Sequence, residues 1–161
     1  MAISTNRESL DNGSPDGCRV RGVARQVING ATNRTLLASE SGALCLFNVA
    51  AGVVYTLPPI GANDIGMFFD FAVSVTGTGS YSIDTDAATT FIGGGLAGQS
   101  TTAGGGDFFP ANIASTVSID LDATETGEDA GGYFRLTATS TTTWVVGGYT
   151  AGSGTLATPF A

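Results

Sequence analysis

Apolar residues in this chain recur at every second position in short runs, and glycine, serine, asparagine or proline interrupts each run. That period places apolar side chains on one face of an extended strand, whereas a helix needs a stripe at three- to four-residue spacing. Residues 66–75 show it most clearly. Phe69, Phe71, Val73 and Val75 share one face, with Phe68, Asp70, Ala72 and Ser74 on the other. Further along, Val117, Ile119 and Leu121 alternate in the same way with Ser118, Asp120 and Asp122.

Similar runs are read at residues 23–28, 35–38, 43–49, 53–57, 81–84, 89–92, 132–139 and 143–146. Pro58-Pro59 stops one of them, because proline cannot donate to a ladder. Residues 93–106 are half glycine and read as a loop without core of its own. About nine short strands at roughly ten-residue intervals predict an all-β fold, a single sandwich or barrel-like domain over residues 23–161. Residues 1–22 read as an extended N-terminal arm, polar and turn-prone around Asp11-Asn12-Gly13-Ser14-Pro15. No fixed-period repeat is visible, which argues against a solenoid.

Composition narrows function. The chain has 24 glycines, 22 threonines and 13 serines, and neither histidine nor lysine. Histidine is the commonest general acid–base and metal ligand, and lysine a frequent Schiff-base or phosphate-binding group. The expectation is therefore a protein that is not an enzyme and that carries no cofactor and no metal. Net charge is −8, unevenly spread. Residues 1–34 set five arginines against three acids, and residues 35–161 set Arg135 against eleven. An acidic body disfavours nucleic acid, since neutralising phosphates takes clustered basic residues. No run approaches the ~20 apolar residues of a membrane-spanning helix. The N-terminus carries Arg7 and Glu8 where a signal peptide would be apolar, so a chain that stays soluble in the cytoplasm is expected.

The arginines of the N-terminal segment are the leading site candidates. Arg7, Arg19, Arg21 and Arg25 can each pair bidentately with carboxylates, which suits docking onto an acidic protein surface. Phe108 and Phe109 follow a glycine run, and two adjacent aromatics cannot both face one core. They are candidate subunit-interface anchors. Asp84/Asp86 and Asp120/Asp122 form two D-x-D pairs whose geometry could hold Ca²⁺ but equally describes a solvated strand face, the favoured reading. Cys18 and Cys45 could form a disulfide, but Cys45 inside an apolar run reads as a small core residue. The glycine runs lack the following helix and the lysine of a phosphate loop.

One order of motifs has a counterpart. A glycine turn at Gly52 leads into Val53-Val54-Tyr55-Thr56-Leu57-Pro58, then Gly66-Met67-Phe68-Phe69-Asp70-Phe71, Tyr81-Ser82-Ile83, Ile92-Gly93-Gly94 and a late Trp144 strand. This order resembles small virion structural proteins of tailed bacteriophages, the head decoration (cement) proteins in particular. The resemblance covers roughly residues 30–148 and not the arm. It implies a non-catalytic homotrimer on the capsid exterior, bound to the major capsid protein and stabilising contacts between capsomers. A receptor-binding or tail-fibre module for host surface glycan, with Trp144 touching sugar, is the alternative.

Overall fold

The computed structural model describes residues 25–102, 104–121 and 123–161. The arm, including Arg7, Cys18, Arg19 and Arg21, lies outside the described residues, as does Asp122.

Among the described residues eleven strands follow one another: β1 (Val27–Asn29), β2 (Arg34–Thr35), β3 (Leu44–Phe47), β4 (Val53–Thr56), β5 (Phe68–Val73), β6 (Tyr81–Asp84), β7 (Phe91–Ser100), β8 (Gly106–Pro110), β9 (Ser118–Leu121), β10 (Tyr133–Ser140) and β11 (Thr143–Gly152). They form a seven-stranded sheet in the order β1-β3-β5-β10-β11-β7-β8 and a four-stranded sheet in the order β2-β4-β6-β9. The fold is mostly β, with two mixed sheets.

Through β6 the chain changes sheet after every strand. β1, β3 and β5 run parallel in one sheet, and β2, β4 and β6 run parallel in the other. Parallel neighbours need a long crossover, usually helical. Here each crossover is a strand of the opposite sheet, so a coil-like path arises without any sequence repeat. From β7 onward hairpins close the structure, β7 with β8 and β10 with β11.

Because the chain shuttles in this way, the alternating apolar residues of both sheets meet in one core. Phe47 on β3 packs edge-on to Tyr55 of the small sheet at 5.2 Å and stacks on Tyr81 at 4.6 Å. Phe71 stacks on Phe134 at 5.6 Å, and Phe69 meets Trp144 at 6.1 Å. Both tyrosines bury their hydroxyls against backbone carbonyls. Tyr55 donates to Leu46 O at 3.0 Å, and Tyr81 Oη lies 2.9 Å from Val49 O and from Val75 O. A buried phenol without such a partner would cost ~1–3 kcal/mol.

Three readings of the sequence change. Residues 35–38 are not one strand: Glu40 accepts from Leu37 N at 2.9 Å and pairs with Arg34, which curls Ala38–Glu40 into a 3₁₀ turn. Val75 lies past the end of β5 and is exposed rather than on the core face. Most of the glycine-rich stretch is a strand, the ten-residue β7, paired in parallel with all of β11. Aromatic rings fill the space its side chains leave. A Cβ on Gly95 would sit 2.5 Å from Phe108 Cζ, and one on Gly98 would sit 2.7 Å from Phe109 Cε2. Gly94 adopts φ +92°, and a Cβ there would fall 2.2 Å from Val146 O.

Gly94→Ala is therefore expected to lower unfolding free energy by at least ~2 kcal/mol, combining left-handed strain with a backbone clash. Gly147→Ala, where a Cβ meets nothing within 4 Å, should change stability by less than ~0.5 kcal/mol. Urea melts of the two variants against the parent check both.

Candidate interaction surface

Side chains that do not face the core line up in rows across the large sheet, because register partners share a face. One row runs Asn29, Leu46, Ala72, Tyr133, Tyr149, Ala97, Phe108, from edge to edge. The next runs Val27, Leu44, Asp70, Arg135, Gly147, Gly95, Pro110, and a third holds Phe68, Thr137, Val145 and Gly93. A sheet face open to solvent is ordinarily polar. This one is largely apolar and aromatic: Phe108 is 62% exposed, Tyr149 42%, Tyr133 38% and Val145 37%.

At its centre lies an acid with no exposure at all, Asp70. Position 70 falls between aromatics on an apolar strand, and a charge there has to be paired. Arg135, its register partner on β10, binds it bidentately, Nε to Oδ1 at 2.7 Å and Nη2 to Oδ2 at 2.8 Å. Arg25 comes from before β1, reaches over β3, and forms a second ion pair with Oδ2. On the way it donates from Nε to Gly42 O and from Nη2 to Ala43 O, each at 2.8 Å. Arg135 also lies 4.3 Å above the Phe68 ring, a cation–π contact. Burial pushes the Asp70 carboxyl up, but the hydrogen bonds from Arg135 and Arg25 and the Arg25 charge outweigh it and hold it below its ordinary value. The Asp70 hydrogen bond holds Arg135 above its ordinary value.

Two guanidinium groups against one carboxylate leave this face a surplus of one positive charge on a chain of net charge −8. Beside Arg135 the surface dips into a shallow depression lined by Thr137, Thr139, Val145 and Gly147.

Of the predicted site residues, Arg25 is thus engaged with the domain's own acid and backbone. Phe108 projects from the face, and Phe109 is half-buried over Gly98. The edge strand β8 that carries both is protected against further pairing. Ala111 N donates to Gly94 O, and Ser100 N donates to Gly105 O, so odd positions face β7 and even ones face outward. Of its three outward positions two offer no free N–H: Phe108 N is taken by Asp107 Oδ1 at 3.0 Å, and Pro110 has none, which leaves Gly106 at the strand's start.

The acidic pairs are arranged differently from the D-x-D reading. Asp86 lies beyond β6, exposed in a turn. Asp84 and Asp120 instead approach the same hydroxyl across strands: Ser82 Oγ is 2.5 Å from Asp84 Oδ1 and 2.8 Å from Asp120 Oδ1. Among the described residues no three His, Cys, Asp or Glu side chains converge as a metal site. Trp144, read as a sugar contact, has no exposure and packs in the core, which removes that role. Cys45 is a free thiol with no exposure; burial, with the Glu40 charge adding, pushes it up to about 12. No helix among the described residues is long and apolar enough to cross a membrane.

Sequence reasoning missed the Asp70–Arg135 pair, although its signal was present. Asp70 interrupts an aromatic run, and Arg135 is the sole positive charge after residue 34. No protein-family model, curated protein or solved structure matches this chain.

Asp70→Asn should destabilise the domain by ~2–3 kcal/mol. That is less than for a fully buried pair, because both guanidinium groups keep contact with water. Since the folded-state pKa of Asp70 is lowered, its stabilisation is complete above the unfolded value near ~4 and is lost as pH falls through the folded one. Chemical denaturation between pH 7 and 2 should show a shallower acid limb in the Asn variant than in the parent.

Proposed function

We propose that the chain is a virion structural protein, a head decoration protein that binds the outside of an assembled capsid and stabilises contacts between capsomers. The observation that carries this reading is the outer face of the seven-stranded sheet: broad, aromatic and slightly positive on an otherwise acidic protein. Such a face suits docking onto a protein surface rather than turnover of a small molecule. The motif order over residues 30–148 supplies the virion context. The two sheets sharing one core would form the sandwich of such a domain.

Stabilisation would follow from mass action. A ligand that binds only the assembled shell favours it by RT ln(1 + [L]/Kd), and many copies need only modest affinity each. Three copies around a threefold position, with Phe108 near the subunit boundary, and the arginines Arg7, Arg19 and Arg21 on acidic patches of the major capsid protein, complete the proposal. No catalytic step is needed.

The side-by-side Tyr133 and Tyr149 favour a second reading, a receptor-binding or fibre-associated module that stacks host glycan on exposed rings.

Sedimentation of the protein with shells of the phage that encodes it tests the proposal. Saturable binding at hundreds of copies per particle is the expected result, and Tyr149→Ala should weaken it by ~10-fold or more, as loss of a buried aromatic anchor does. Absence of shell binding, or a handful of copies at the tail, would exclude cement.

A further inference from the structure

We propose that Arg25 and Arg135 together form a binding site for one further carboxylate, the side chain of an aspartate or glutamate on the surface of a partner protein. The inference deepens the docking reading of the outer face and rests on it for the partner being a protein.

The stoichiometry of the ion cluster leads there. Both guanidinium groups converge on a single oxygen: Arg135 Nη2 donates to Asp70 Oδ2 at 2.8 Å, and Arg25 Nη2 pairs with the same Oδ2. Asp70 beneath them has no exposure, whereas the side chains of Arg25 and Arg135 keep 28% and 49% of their surface open. Two like charges held against one carboxylate repel each other, and a second carboxylate above them would complete the set at two and two. Donors remain for it. Arg135 gives Nε and Nη2 to Asp70, and Arg25 gives Nε and Nη2 to Gly42 O, Ala43 O and Asp70, so the Nη1 group of each lies outside these bonds. Both side chains are already held in place, Arg25 by two carbonyls just before β3 and Arg135 by the Phe68 ring below it. Pairs ordered in advance lose little side-chain entropy when a ligand arrives.

The surroundings select the class of anion. Arg135 borders the depression formed with Thr137, Val145 and Gly147. Gly147, its register partner, brings no side chain, and a Cβ there would meet nothing within 4 Å. The far rim is apolar, because Phe108 lies over Gly95, the register partner of Gly147, and Ile113 lies over Gly93, the register partner of Val145. Such a hollow has room for the aliphatic stem behind a carboxylate. Charge points the same way. The surplus is one unit, which a carboxylate cancels and a phosphate dianion would overshoot. Under a docked protein an uncancelled guanidinium is costly, so the face discriminates among partners by whether an acid stands opposite the pair.

Titration of the free, ¹⁵N-labelled protein with two extended peptides tests the assignment: acetyl-Leu-Ser-Glu-Ser-Leu-amide and its counterpart with Gln in place of Glu. In each, the leucines share a face with the central residue. The amides of Val145 and Gly147 and the Arg135 Nε–H should shift saturably with the Glu peptide, which should bind at least ~5-fold tighter than the Gln peptide, as a charge-assisted hydrogen bond allows. Arg25→Gln removes the surplus charge but leaves the bidentate Asp70–Arg135 pair, and should bring the two peptides to equal affinity. Arg25→Lys, which keeps the charge, should retain part of the preference. Equal affinity of the two peptides for the parent protein, no saturable shift with either, or an undiminished preference in Arg25→Gln overturns the proposal. So does methyl glucuronide or inorganic phosphate binding at these amides as tightly as the Glu peptide, which would assign the site to an acidic sugar or to small anions in general. The comparison on the parent needs no variant and no shell, so a protein that fails to bind shells can still pass it, and one that binds them can fail it.

Discussion

Burial of one aromatic core between two sheets is the constraint on which the other features depend. Each strand up to β6 passes to the opposite sheet, so the two sheets share their crossovers as well as their core. Phe47 lies at the crossing point, touching Tyr55 and Tyr81 of the small sheet and Phe71 of its own. The phenol hydroxyls of the two tyrosines reach carbonyls of Leu46 within β3 and of Val49 and Val75 just beyond β3 and β5, tying the small sheet to the large one. Parallel pairing of this kind is long-range in sequence, and the reward comes only when both inner faces meet.

The outer face inherits its geometry from that core. Once Phe69, Phe71 and Val73 point inward, Phe68, Asp70 and Ala72 have to point outward. A carboxylate in an apolar row requires compensation, and two arginines distant in sequence supply it. The same ion cluster ties the edge of the sheet to its centre, since Arg25 precedes β1 while Arg135 belongs to β10. Structural pairing and surface character are thus one feature: neutralising Asp70 is what leaves a surplus positive charge among exposed rings.

Glycine plays a different part in β7 and β11 than its abundance suggested. A glycine-rich stretch costs backbone entropy and contributes no side chain, which reads as a loop. Phe108 and Phe109 reverse the balance by lying over Gly95 and Gly98, so rings from an edge strand replace the missing side chains. That exchange is invisible to any local window, because its two halves belong to different strands and the register between them is set by the sheet.

The sequence by itself determined the class of secondary structure, most of the core and the burial of Cys45. Those follow from alternation, and alternation is local: Phe69, Phe71, Ile119 and Leu121 face inward wherever the strand ends up. Asp70 and Arg135 were legible as anomalies, each the wrong charge for its surroundings, but not as partners. Which strands pair, that Asp84 meets Asp120 through Ser82 rather than Asp86, that Trp144 is core, and that Arg25 is held by the domain were decided by tertiary structure alone. Each depends on residues brought together from far apart in the chain, and strand order, unlike strand content, is settled by how two whole faces fit.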